Sequence, residues 1–132
     1  MQILILYVAT ATIFLVADAI ALTTVMKPLF QRHLGDALRD PIALAPAGAF
    51  YLAYVAGLLW LVSLPALRAG SPGQALLGGA VLGAIAYGTY EFTNMSTLRD
   101  WSWSMVATDV TWGTILTAAS AAGGVWIAQR FI

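Results

Sequence analysis

The sequence has no cysteine, a single histidine, a single lysine and few charges of either sign. Without thiols the chain can form no disulfide, thiolate metal site, iron–sulfur cluster or covalent haem link. His33 alone cannot supply a bis-histidine haem or a multi-histidine metal centre from one copy. Lys27, the only lysine, stands at the end of an apolar run, which argues against a Schiff base in mid-membrane. No cofactor and no metal are therefore expected. Charged residues make up 9% of the 132 positions, against about 25% in an ordinary soluble domain. Six Lys and Arg balance six Asp and Glu, and no basic cluster offers a footprint for nucleic acid.

What the sequence does have is apolar surface, with 61% hydrophobic residues, so the lipid bilayer is the expected partner of most of the chain. Four apolar stretches, 3–26, 47–67, 74–98 and 102–127, are each long enough for a membrane crossing, which takes about 20 helical residues. Lys27-Pro28 is expected to close the first, Pro41 and Pro46 to flank the start of the second, and residues 68–73 and Arg99-Asp100 to form the remaining turns. Such short connections make consecutive helices antiparallel neighbours. The expected fold class is an all-α integral membrane protein, an up-down bundle of four transmembrane helices in a single domain over residues 1–132.

Between helices one and two, the segment 28–40 reads PLFQRHLGDALRD. Phe30, Leu34, Ala37 and Leu38 recur at helical spacing opposite Gln31, Arg32 and Asp36, the pattern of a short interfacial amphipathic helix, with a solvated connector as the alternative. The N-terminal run has no positive leader and exceeds the about 7–15 residues of a cleavable signal core, so it is expected to be retained. Lys27, Arg32, Arg39 and Arg99 at one boundary outnumber Arg68 and Arg130 at the other, which predicts a multi-pass protein with both termini outside the cytoplasm. Trp101 and Trp103 are expected in the inner interfacial belt and Trp126 in the outer one. Small residues should let helices approach closely: Gly79 with Gly83, the ridge Ala80, Ala84 and Gly88, and Gly113, Thr117 and Ala121 on the fourth helix.

Three acids lie inside the apolar stretches. Asp18 is nine positions before Lys27, Glu91 eight before Arg99, and Asp109 ten after it. At about 1.5 Å per residue, all three sit about 12–15 Å from one charged boundary, near the middle of a core about 30 Å thick. No basic residue stands three or four positions from any of them. A lone acid at mid-span costs about 2.5–3.5 kcal/mol on insertion scales, so the three should face the bundle interior. Tyr87 and Asn94 share a helix face with Glu91, Thr108 and Trp112 flank Asp109, and Tyr51 or Tyr54 reaches the same depth from the second helix. The candidate site is thus Asp18, Glu91 and Asp109 with Tyr87, Asn94, Tyr54, Thr108 and Trp112. Desolvation and mutual repulsion disfavour the charged forms of such a cluster, so at least one acid is expected to hold its proton at neutral pH. A short repeat relates Asp18-x4-Thr23-Thr24 to Glu91-x4-Ser96-Thr97, each at the inner end of the first helix of a hairpin.

The run from Tyr90 to Trp101, YEFTNMSTLRDW, followed by TDVTWG from Thr108 to Gly113, resembles the signature of a bacterial family of small four-helix membrane proteins of unknown function. The resemblance covers essentially the whole chain. It implies an inner-membrane protein with four helices and carries no assigned reaction, cofactor or catalytic residue.

Intramembrane carboxyls point to proton- or cation-linked handling of a small or membrane-soluble solute, by a homo-oligomer, with Glu91 as the expected titrating group. An accessory subunit of a larger membrane assembly is the alternative, and a lipid-modifying enzyme the third. No nucleophile–base pair, phosphate-binding loop or redox centre is visible, which counts against the enzyme.

Overall fold

Four helices carry the chain: the first Gln2–Ala37, the second Leu44–Arg68, the third Pro72–Thr97 and the fourth Trp103–Arg130. The computed structural model describes residues 1–39 and 41–131, and among them no strand occurs. At about 1.5 Å per residue, every helix exceeds a hydrocarbon core of about 30 Å. Apolar side chains cover the outside as well as the inside: Trp60, Leu77, Ile85 and Ile115 are all more than half exposed. A helix that is apolar on every side has lipid for its solvent.

Local signals set the helix starts. Ser71 and Ser102 cap the third and fourth helices by accepting from the backbone N–H groups of Gln74 and Met105, and Pro72 occupies the first turn of the third, where no amide proton is needed. Pro46 sits in the first turn of the second helix rather than ahead of it.

Contact registers fix the topology. Thr10 lies against Gly124, and Trp112 reaches Asp18, so the first and fourth helices run antiparallel. Gly79 faces the Thr117 carbonyl and Ala118, while Gly83 faces Gly113 and Thr117, so the third and fourth are antiparallel too. A Cβ on Gly79 would stand 2.8 Å from the Thr117 carbonyl oxygen, so glycine is what lets the two backbones meet. Val62 packs on Gly78, and the Tyr54 hydroxyl meets Thr117 Oγ1 at 3.0 Å, which brings in the second helix. The result is an up-down bundle with the fourth helix as its hub. The Ala80, Ala84 and Gly88 ridge does not complete this packing, because a Cβ on Gly88 would meet nothing within 4 Å.

Lys27-Pro28 does not end the first helix. Residues Leu22–Met26 form a π turn in which the Lys27 N–H donates to the Leu22 carbonyl, five residues back. The widened turn accommodates Pro28, whose ring in a regular α-helix would clash with the carbonyl four residues earlier. The second helix repeats the device in the same register. Its π turn is Leu59–Ser63, Leu64 N–H donates to the Leu59 carbonyl, and Pro65 follows. The amphipathic segment therefore exists as a continuation of the first helix, Lys27–Leu34, and not as a detached one. Its Leu29 is buried with Trp101, Met105 and Val106, and Phe30 and Leu34 pack beside them at the corner between the third and fourth helices.

Candidate functional site

The interior polar groups are best read against the lipid-facing ones. Thr23, Thr24, Thr89, Ser96 and Thr97 are exposed, and each hydroxyl donates to a carbonyl one turn back on its own helix. This satisfies them in lipid without any partner helix. The two hydroxyl pairs of the sequence repeat, Thr23-Thr24 and Ser96-Thr97, share that behaviour. The acids cannot do the same, since a carboxylate needs donors, and they take them from indoles and phenols.

Glu91 is fully buried on the third helix. Its Oε1 accepts from Trp101 Nε1 at 2.8 Å. Trp101 is therefore not a member of an interfacial belt. The turn between the third and fourth helices folds it inward, where its ring meets Phe30 and Tyr90 edge-on at 5.4 and 5.9 Å. The second oxygen, Oε2, has no hydrogen-bond donor among the described residues. The Asp109 carboxyl, on the fourth helix, lies close to the Glu91 carboxyl. Two ionised carboxylates offer only acceptors, so this contact becomes a hydrogen bond when the pair holds one proton.

Asp18, on the first helix, is buried and accepts from Trp112 Nε1 at 3.1 Å. The Tyr51 phenol of the second helix lies close to it as well. Three helices thus grip one carboxyl, and its field reaches Asp109. Tyr54, expected at this position, turns its hydroxyl to Thr117 instead and leaves Asp18 to Tyr51. Tyr87 packs its ring on Gly113, the only residue type that leaves room for it there. Asn94 is only half-buried and bonds to the Tyr90 side chain, not to an acid. Thr108 stands apart from the cluster. With Trp112, four positions on, it faces the first helix in a separate groove that includes Ala17, Ala21 and Thr24.

Asp18 and Asp109 form the floor of a cavity of about 710 Å³. Leu22, Met26, Lys27 and Phe30 of the first helix line one side, and Leu38 and Ile42 of the following segment close the end. Phe50, Tyr51 and Tyr54 of the second helix face Tyr87, Thr89 and Tyr90 of the third across it. Phe50 and Tyr90 are 63% and 53% exposed, so the cavity reaches the bundle surface between those two helices. They converge at Val62 and Gly78 and part toward Gly88, leaving a lateral slot. Sequence spacing pointed to the acids, to Tyr87 and to Tyr51 as the alternative to Tyr54, whereas Trp101 depends on the chain folding back and carries no periodic signal. Among the described residues no group of three His, Cys, Asp or Glu side chains has metal-holding geometry.

A family model described as "Predicted membrane protein (DUF2177)" matches residues 3–126. No curated protein and no solved structure matches the chain.

Proposed function

The chain belongs to the DUF2177 family of predicted membrane proteins, and on that footing we propose that it holds and exchanges a proton at the Glu91–Asp109 pair, linked to the handling of a small membrane-soluble solute in the adjoining cavity. The observation that carries this reading is a second carboxyl, Asp109, close to a fully buried Glu91 whose Oε2 has no donor among the described residues. A proton between them removes both the missing donor and the repulsion, and its loss restores both. The pair is therefore a two-state element whose charge differs by one. Asp109 belongs to the pair and also to the cavity floor, so any occupant changes the surroundings of that proton. Intramembrane acids held this way, between helices and beside a cavity, suit proton-linked handling better than simple helix glue.

Reconstituted in liposomes containing a pH-sensitive dye, the protein is expected to accelerate the collapse of an imposed pH gradient, and the particle that does so is expected to be a homo-oligomer. Glu91→Gln should bring the rate to that of empty vesicles while helical circular dichroism is retained. An unchanged flux in that variant would overturn the proposal.

The excess of basic residues at the Lys27 and Arg99 boundary supports an orientation with that end in the cytoplasm of a bacterial inner membrane and both termini outside. The absence of native cysteine makes this directly testable. Ala69→Cys should react with a membrane-impermeant thiol reagent on intact cells, and Asp36→Cys only after permeabilisation. The reverse pattern would invert the topology.

A further inference from the structure

We propose that the cavity above Asp18 and Asp109 binds a hydrophobic organic cation, an amine or quaternary onium centre on an apolar body, which enters through the slot between the second and third helices. The proposal rests on the proton-exchange reading for its pH dependence and on the cavity for its chemistry. A volume of about 710 Å³ lies within the range typical of small-molecule sites, about 300–1,000 Å³. Its walls are apolar or aromatic, and its polar floor is acidic. Three carboxyls, Asp18 and Asp109 in the wall with Glu91 directly behind, stand against one cation, Lys27, on the first helix near the closed end. A cationic occupant would be attracted by the two carboxyls that line the cavity, and an anion would meet repulsion.

The aromatic residues discriminate further. Phe50 and Tyr54 are stacked with centroids 6.2 Å apart, and Tyr87 stands edge-on to Tyr54 at 6.4 Å. With Tyr51 and Tyr90 they surround the space from the second and third helices. Aromatic faces attract a cation electrostatically, and the attraction grows when water is excluded. Such faces also accept the apolar body of the same molecule. Neither a metal ion nor a hydrated inorganic cation would use them, since hard cations take oxygen ligands. Glu91 contributes an independent sign that the floor is built for exchange. It is completely buried, its Oε2 has no donor among the described residues, and its carboxyl lies beside the Asp109 carboxyl that lines the cavity.

Competition between cation and proton follows from this arrangement. A cation seated on the floor favours the ionised pair, and the shared proton favours an empty cavity. The charged and titratable groups facing the pair are Asp18 of the first helix with Lys27 further along it, the phenols of Tyr51 and Tyr54 from the second, and those of Tyr87 and Tyr90 from the third.

Tetraphenylphosphonium and tetraphenylborate share shape and apolar surface but differ in the sign of charge, which makes them the probes of choice. Titrated calorimetrically into the detergent-solubilised full chain, with empty micelles subtracted, the phosphonium should bind saturably at mildly alkaline pH. It should release about one proton per cation, seen as a dependence of the heat on buffer ionisation enthalpy. Affinity should fall about tenfold per pH unit toward acid. The borate should not bind saturably. Asp109→Asn should abolish proton release, and Phe50→Leu, which keeps apolar volume in a lipid-facing position, should weaken the phosphonium about fivefold. Saturable binding of both probes, or of neither, would overturn the proposal. Failure to bind while a proton is still detected on the pair by infrared spectroscopy would remove the cation and leave the proton reading standing. Binding without proton release would overturn the competition.

Discussion

Replacing Gly113 with leucine is expected to lower the unfolding midpoint of the solubilised protein by about 10 °C or more. A Cβ at position 113 would fall inside the ring of Tyr87, and the Gly113 carbonyl already lies against Gly83. The third helix could accept the side chain only by withdrawing from the fourth, and overpacking of this kind costs about 3 kcal/mol at the upper end of the usual range. Withdrawal would also part Glu91 from Asp109, since the two helices present them one turn beyond the same contact. Stability and proton exchange should therefore be lost together. Gly57→Ala is the matched control, because a Cβ there meets nothing within 4 Å and the helix gains propensity. Equal midpoints for the two variants, followed by thermal circular dichroism, would contradict the packing account.

The second large effect concerns the partner of Glu91 Oε2. Asp109→Asn supplies an amide that can donate to that oxygen without a mobile proton. The variant should match the native protein in stability to within about 1 kcal/mol and exchange no proton. Asp109→Leu keeps the branched shape but has no donor. It leaves a buried acceptor unsatisfied and should be less stable than Asp109→Asn by about 1–3 kcal/mol. If the carboxyls were instead two ionised groups held apart by the fold, both neutral variants would relieve repulsion and both would stabilise. Denaturation in graded detergent mixtures distinguishes the outcomes.

Much of this architecture is legible in the sequence because a membrane simplifies the rules. Apolar run length gives the four helices, the glycines at 79, 83 and 113 give the tightest interface, and the depth of Asp18, Glu91 and Asp109 gives a common layer. The departures have physical causes. Pro28 reads as a breaker, but a π turn before it leaves room for the ring, as another does before Pro65, and nothing in hydropathy signals a widened turn. Trp101 reads as an interfacial anchor because it follows Arg99-Asp100. Its true partner is ten residues away, on a helix it reaches only after the chain reverses. Thr108 is adjacent to Asp109 in sequence, yet adjacent helical residues face about 100° apart, so one looks to the first helix and the other to the third. The cavity depends on Phe30, Leu38 and Ile42 lining it, a long-range consequence of Leu29 and Phe30 finding Trp101.

The central claim is a single proton shared between two carboxyls in the middle of the bundle. Infrared difference spectroscopy across neutral pH, comparing the native protein with Glu91→Gln and Asp109→Asn, reads that proton directly. A protonated-carboxyl C=O stretch should be present at neutral pH in the native protein and be shifted or lost in both variants, because either substitution removes one of the two carboxyls that share the proton. A spectrum showing only carboxylate bands at neutral pH, identical in number to the acids present, would contradict the account.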